Sequence, residues 1–144
     1  MWFQVGLENR ETIMMTNILI ADDHANVRRG LREILADAFV NAHFSEACDG
    51  DGVLIELLNS PHDVLLLDIN MPGRSGMEVL KDVRIIYPRL PVIMVSVQPE
   101  NQYASRCLRA GATAYINKNS ASEELVPAIR KILDCGVIPL VIPN

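Results

Sequence analysis

Short apolar runs alternate with stretches of helical periodicity along the whole of this 144-residue chain. Residues 64–67 and 92–95 are continuous apolar runs, whereas apolar residues in 27–38 recur at helical spacing. Apolar runs without polar alternation are typical of strands covered on both faces. Five predicted strands, each followed by a helix, indicate repeated β-α-β units, and therefore an α/β fold with a doubly wound, five-stranded parallel sheet.

The same patterns predict where the elements begin and end. Pro99 suits the first turn of the fourth helix, and Ser120 with Glu123 has the spacing of a capping box that opens the fifth. Pro127 falls inside that fifth helix, where its ring and missing N–H predict a kink. The predicted strands are 17–21, 42–47, 63–68, 91–96 and 114–117.

The chain ends differ in pattern from the central part. We expect residues 16–136 to form one domain, preceded by a flexible leader at 1–15 that has no periodicity. Residues 137–144 are interpreted as a tail, or as the start of a linker to an output domain that this chain lacks. A domain of this size buries about 68% of its surface on folding, which is enough for a core without disulfides.

Charge and cysteine content exclude several classes of protein. The formal net charge of −5 argues against a general nucleic-acid binder, which needs a basic surface. Three cysteines without a CxxC pair predict reduced thiols and a cytoplasmic location. No apolar stretch reaches the length of a membrane span, so we expect no membrane association.

Polar side chains stand at the ends of four predicted strands. Asp22 and Asp23 follow the first strand, Asp68 ends the third, Ser96 ends the fourth and Lys118 follows the fifth. Each has an ordinary interpretation when taken singly, such as a helix cap or a solvated lysine. Because parallel strands place their carboxyl ends at one edge, neighbouring strands would bring all five side chains into one pocket.

Crowded carboxylates require either a raised pKa or a cation. Mg²⁺ suits an all-oxygen site with few protein ligands. Together with Lys118, such an ion would attract a phosphoryl group, to which Ser96 could donate while one carboxylate attacks phosphorus. The chain has no glycine-rich loop of the nucleotide-binding kind, so we expect the phosphoryl donor to be something other than ATP.

Four segments resemble the receiver domain of bacterial two-component response regulators: residues 18–24, 66–76, 95–96 and 115–118. The resemblance extends over residues 16–136, and its most specific part is the Asp-x-x-Met-Pro-Gly-x-x-Gly segment. Residues 22–31 and 110–112 are most similar to the NarL/LuxR-type branch. The resemblance implies a flavodoxin-like strand order, 2-1-3-4-5.

The resemblance also implies a role for each matching residue. Asp68 would be the phosphoacceptor, and Lys118 would pair with the phosphoryl group. The switch residues would be Ser96 and Tyr115, with Tyr115 turning from exposed to inward on phosphorylation, while Asn70 and Gln98 would tune dephosphorylation. The implied Mg²⁺ ligands are the Asp22, Asp23 and Asp68 carboxylates, with Asp22 acting mostly through water, and the backbone carbonyl of Asn70.

The implied function is a signalling switch rather than an enzyme. A sensor histidine kinase or a phosphotransfer protein would phosphorylate Asp68, a homodimer could form on phosphorylation, and a DNA-binding output domain outside this chain would control transcription. The alternative within the family is a stand-alone receiver or phosphorelay protein. Asn119 departs from the residue that often follows the family's lysine, which leaves the local peptide geometry open.

Two hypotheses from other classes remain. A magnesium-dependent phosphatase with an aspartyl nucleophile would need a lid or substrate pocket, and the chain has no insertion long enough for one. A phosphorylation-independent interaction module would not need the complete set of acids, hydroxyl and lysine. The two phosphoryl hypotheses differ in turnover, because a switch gains one phosphoryl group per chain whereas an enzyme releases many.

Overall fold

The computed structural model describes residues 15–135, which form one five-stranded parallel sheet with helices on both faces. The strand order is β2-β1-β3-β4-β5. The predicted fold class and strand order are therefore confirmed. The predicted tail at 137–144, and the predicted leader apart from Met15, lie outside the described residues and stay predictions.

The elements alternate strictly along the described chain. The strands are β1 (Thr16–Ala21), β2 (Ala42–Ala47), β3 (Val64–Leu67), β4 (Val92–Ser96) and β5 (Ala114–Asn117). The α-helices are α1 (Ala25–Ala38), α2 (Gly50–Asn59), α3 (Gly76–Ile86), α4 (Glu100–Arg109) and α5 (Ala121–Cys135), with a 3-10 turn at Lys118–Ser120.

Successive strand residues contribute to two separate hydrophobic cores. Leu19 in β1 and Leu65 in β3 face the layer of α2, α3 and α4, whereas Ile18 and Leu66 face α1 and α5. These four side chains are at most 1% exposed. Because both faces of β3 are covered, its sequence is apolar without alternation, as the sequence analysis assumed.

The starts of two helices differ from the prediction. Ser120 belongs to the 3-10 turn that leads directly into α5, so it does not occupy the extended N-cap position that a capping box requires. The side chain of Asn117 caps this turn instead, by accepting the backbone N–H of Asn119 at 2.9 Å. Pro99 is the N-cap residue of α4 rather than part of its first turn, and Pro127 lies inside α5 as predicted.

The ladder between β1 and β3 sets the position of two acidic residues. Ala21 pairs with Leu67, and the next backbone N–H, that of Asp68, donates to the Ala21 carbonyl at 3.0 Å. This pairing places the side chains that follow the two strands at the same edge of the sheet. The loop after β3 requires a glycine at position 76. A Cβ there would lie 2.0 Å from the Asp68 carbonyl oxygen.

Candidate functional site

Two buried carboxylates lie at the carboxyl edge of the sheet beneath one lysine. Asp22 and Asp68 are 1% and 3% exposed. The Lys118 ammonium lies 2.6 Å from Asp22 Oδ2 and 3.3 Å from Asp68 Oδ2. The structure thus brings together the ends of β1, β3 and β5, as the sequence analysis expected for these three residues.

Two acidic neighbours favour the charged form of Lys118 in spite of its burial. Burial alone would lower the pKa of Lys118, but the Asp22 and Asp68 carboxylates outweigh that effect and raise it. Lys118 begins the 3-10 turn immediately after β5, so its backbone position is fixed by the sheet and by the Asn117 cap. It is therefore a permanent cation in the pocket, available to pair with an incoming anion.

The surroundings of Asp68 disfavour its charged form. Burial raises the pKa of Asp68 and the Asp22 charge raises it further, against the lowering effect of Lys118 and of the Asn70 backbone N–H. Its Oδ1 atom is buried and has no hydrogen-bond partner. A buried carboxylate oxygen without a partner costs free energy, so a group that supplies positive charge there would be bound favourably.

The loop after β1 adds a third carboxylate and a histidine. The backbone N–H of His24 donates to Asp22 Oδ1 at 2.9 Å, and its ring Nδ1 lies 3.0 Å from Asp23 Oδ1. One ligand atom from each of Asp22, Asp23 and His24 falls within 4.8 Å of the others. The sequence analysis gave His24 no part in the site, although its position directly after Asp22 and Asp23 was visible.

These residues fit the predicted Mg²⁺ ion. Mg²⁺ prefers oxygen ligands and keeps several waters, so it needs only one or two carboxylates and an open side. Buried Asp22, exposed Asp23 and the unpartnered oxygen of Asp68 satisfy those needs. The part assigned to the Asn70 carbonyl stays a prediction; the contact that involves Asn70 here comes from its backbone N–H.

The predicted switch residues are connected through one backbone segment. Ser96 is fully buried, and its Oγ accepts the backbone N–H of Gln98 at 3.2 Å. The Tyr115 hydroxyl donates to the Gln98 carbonyl at 2.6 Å, and burial raises the pKa of this phenol. Tyr115 is 9% exposed, so its side chain lies inward here; its part in a switch stays a prediction.

Arg28 supports the site from the first helix. Its Nη1 donates to the Asp22 carbonyl and its Nε donates to Glu46 Oε1, each at 2.7 Å. Arg32 lies 3.1 Å from the other oxygen of Glu46. The sequence analysis treated neither arginine as part of the site, because the acceptor of Arg28 is a backbone carbonyl and Glu46 is eighteen residues away.

The family model for the response regulator receiver domain matches residues 18–130. The chain belongs to this family. Its members are signalling switches, and the resemblance found in the sequence, including the NarL/LuxR-type branch, is confirmed. The acidic pocket described above therefore lies in a receiver domain.

The curated relatives include full-length response regulators. The chain is 35% identical over 118 residues to response regulator UvrY of Escherichia coli K12, covering 82% of this chain and 54% of the relative. It is 34% identical over 118 residues to response regulator GacA of Pseudomonas aeruginosa, covering 82% and 55%. The chain thus spans about half the length of the curated relatives it matches.

Solved structures show the same fold. A CheY-like receiver domain protein from Methanospirillum hungatei superposes with a TM-score of 0.76 at 27% identity, covering 84% of this chain and 95% of the other. A LuxR-family response regulator from Aurantimonas superposes with a TM-score of 0.78 at 26% identity, covering 85% and 87%. Among the described residues, no helix is both long enough and apolar enough to cross a membrane.

Proposed function

We propose that Asp68 accepts a phosphoryl group from a phosphohistidine of a sensor kinase or phosphotransfer protein. The observation that carries this proposal is the arrangement of Asp68 itself: a buried carboxylate with one oxygen unpartnered and the other 3.3 Å from a permanently charged lysine. An attacking oxygen and a cation for the transferred group are thus present side by side.

The reaction needs only the groups of this pocket and the donor. An Asp68 carboxylate oxygen forms a bond to phosphorus while the bond from phosphorus to the donor imidazole nitrogen breaks, and the electron pair stays on that nitrogen. Lys118 pairs with the phosphoryl oxygens. Bound between Asp22, Asp23 and Asp68, with the Asn70 carbonyl as a further ligand, Mg²⁺ would neutralise charge on the transferred group.

The signal would leave the pocket through Ser96 and Tyr115. An acyl phosphate on Asp68 adds nearly two negative charges and three acceptor oxygens. Ser96 would donate to one of them, and this change would reach Tyr115 through Gln98, whose backbone N–H is bonded to Ser96 and whose carbonyl is bonded to the Tyr115 hydroxyl. Asn70 and Gln98 flank the site and are proposed to set the lifetime of the phosphoryl group.

Incubation with a small phosphodonor and Mg²⁺ tests the acceptor. Wild-type protein should gain one phosphoryl group per chain, measured as an intact-mass shift, and Asp68→Asn should gain none. Asp37→Asn, which removes an exposed carboxylate from α1, is the matched control and should be labelled like the wild type. Equal labelling of Asp68→Asn would show that the acceptor is misassigned, and multiple turnovers would favour the phosphatase hypothesis.

A second variant separates acceptance from signalling. Ser96→Ala should still be phosphorylated, but the amide chemical shifts around Tyr115 should then change much less than in the wild type. A full shift change in Ser96→Ala would mean that the hydroxyl is not the link between the two. The coupling would then run through Lys118 or through the loop after Asp68.

The wider role is proposed from the family and from the relatives. Response regulators act with histidine kinases, and UvrY and GacA are response regulators longer than this chain. We propose a transcriptional output through a domain outside this chain, homodimer formation on phosphorylation, and a cytoplasmic location. The free thiols of Cys48, Cys107 and Cys135 are consistent with that location.

A further inference from the structure

A groove opens at the amino end of the sheet, opposite the Asp68 pocket. Its volume is about 1280 Å³, and it is lined by the start of β1, the loops before β3 and β4, and the ends of α1, α2, α3 and α5. Leu57 and Leu90 are buried in its wall, whereas Met15 and Ile86 are 52% and 57% exposed. Exposed apolar side chains around one groove are typical of an interaction surface.

The groove is larger than the pockets of roughly 300–1,000 Å³ that hold small molecules, so a segment of polypeptide is the better match. The course of the chain indicates which segment. Leu133 and Asp134, near the end of α5, line the groove themselves. Residues 136–144 continue from that point, and nine residues can extend about 30 Å.

The composition of that segment suits the surface. Residues 137–143 contain five aliphatic side chains, two prolines and no charge. The other segment outside the described residues, 1–14, contains two glutamates and an arginine and has fewer aliphatic side chains in succession. An uncharged apolar segment favours association with an apolar surface, and Leu133, four residues before this segment, lines the groove.

We propose that residues 137–143 bind in the groove of the same chain. The proposal does not depend on phosphoryl chemistry, because the groove and the Asp68 pocket lie at opposite ends of the sheet. As a consequence, the polypeptide would leave the receiver domain at the amino end of the sheet, away from the acidic pocket. Whatever follows the receiver domain in a longer chain would then be positioned by this contact.

Two adjacent residues of α3 provide a matched pair of variants. Ile86 lines the groove and Ile85 does not, although both are exposed isoleucines, at 57% and 79%. In methyl-labelled full-length chain, nuclear Overhauser contacts should connect the Ile138, Leu140 or Ile142 methyls to Ile86 and Leu90. Ile86→Asp should abolish these contacts, and Ile85→Asp should leave them unchanged.

Three results would overturn the proposal. The first is the absence of methyl contacts between residues 137–143 and the groove in wild-type protein. The second is contacts that come from residues 1–14 instead, which would make the leader the occupant. The third is contacts seen only between differently labelled copies in a mixed sample, which would make a second copy of the chain the occupant. Because both isoleucines are exposed, retention of the amide spectrum verifies that each variant is folded.

Discussion

A charged side chain is buried at one end of the sheet and half-buried at the other, and the two groups differ in how fully their hydrogen bonds are made. At the carboxyl end, Asp68 has one carboxylate oxygen without a partner, and burial raises its pKa. At the amino end, the guanidinium of Arg84 makes five hydrogen bonds of 2.7–3.1 Å, all of them to backbone carbonyls.

Arg84 connects three parts of the chain that no ladder joins. Its Nε and Nη2 both donate to the carbonyl of Gly111, just before β5, and its Nη1 donates to three carbonyls around the loop before β4. Those three acceptors belong to Tyr87, Pro88 and Leu90. Burial lowers the pKa of Arg84, yet arginine stays charged at every physiological pH.

The contrast distinguishes a charge that maintains the fold from one that serves chemistry. The carbonyls around Arg84 are already in place, so removing the arginine takes hydrogen bonds away from them. The Asp68 pocket carries more negative charge than its lysine can compensate, and the protein retains it at a cost in stability. Functional sites commonly combine such strain with a perturbed pKa.

The largest stability effect predicted from this contrast is that of Arg84→Met. Removing the guanidinium takes a donor from the partly buried carbonyls of Gly111 and Leu90, from the Tyr87 carbonyl, which keeps the Leu90 backbone N–H, and from the exposed Pro88 carbonyl. We expect this loss to cost about 3 kcal/mol of unfolding free energy. For a chain of this length, the melting temperature should fall by about 10 °C. Urea denaturation followed by circular dichroism measures both the midpoint and the slope.

Two further variants show whether the geometry or the charge of Arg84 is responsible for its contribution to stability. Arg84→Lys keeps the charge but cannot reproduce the planar fork, so it should lose most of the same stability. Arg109→Met removes an exposed arginine from the end of α4 and should change the free energy of unfolding by less than about 0.5 kcal/mol. Equal effects of Arg84→Met and Arg109→Met would contradict the structural role of Arg84.

At the opposite end, Asp68→Asn should make the protein more stable while abolishing phosphorylation. Because the pKa of Asp68 is raised in the folded protein, its carboxyl group favours folding when protonated, and that contribution is lost as pH rises through the folded-state pKa. The free energy of unfolding of the variant should therefore exceed that of the wild type most at neutral pH. The difference should shrink on acidification toward 3.8, the ordinary value for aspartate.

Urea denaturation of both proteins across this pH range measures the difference. Asp37→Asn, at an exposed position on α1, is again the control and should show little dependence of this kind. If Asp68→Asn were less stable than the wild type at neutral pH, the pairing of Asp68 with Lys118 would outweigh its burial. The charge at the acidic end would then stabilise the fold, as Arg84 does at the other end.

A divalent cation should restore part of the stability that the crowded carboxylates cost at the carboxyl end of the sheet. An ion that binds only the folded protein adds about 1.4 kcal/mol at ten times its dissociation constant. Titration calorimetry should detect Mg²⁺ binding, weak alone and tighter with a phosphoryl mimic. Equal affinity of the wild type and an Asp23→Ala, Asp68→Ala double variant would exclude the site, whereas Arg109→Met should bind like the wild type.

Much of the fold could be predicted from the sequence because burial leaves a direct pattern. The run at Val64–Leu67 indicates a strand covered on both faces, and the structure has it at the centre of the sheet. The strand order came from the family resemblance rather than from the pattern. The capping box predicted at Ser120 was wrong, because the spacing of the residues does not reveal a 3-10 turn that continues directly into α5.

In the candidate site, too, some contacts could be predicted from the sequence and others could not. Asp68 and Lys118 could be predicted to meet, because the ends of parallel strands converge at one edge. The contacts of Arg28 and Arg84 could not, because their acceptors are largely backbone carbonyls, which carry no side-chain signature. Hydrogen bonds to loop carbonyls depend on the loop path, and that path becomes known only with the structure.

The smallest predicted effect on stability concerns the hydrogen bond between Tyr115 in β5 and the segment after β4. Tyr115→Phe removes the hydrogen bond from the phenol to the Gln98 carbonyl at 2.6 Å and keeps the ring. We expect a loss of about 1 kcal/mol of unfolding free energy, the usual net value of one such bond. Tyr87→Phe, in the loop before β4, is a control at the other end of the sheet and should change stability less.

The same variant also distinguishes a switch residue from a residue that only packs. The Tyr115 hydroxyl is bonded to Gln98, not to Asp68, so phosphorylation of Asp68 by a small phosphodonor should proceed in Tyr115→Phe as in the wild type. The amide shifts of residues 97–99 should respond less to phosphorylation, because the loop is no longer bonded to β5. Slower labelling of Asp68 in this variant would instead place the phenol within the acceptor pocket, and the two functions would then not be separable.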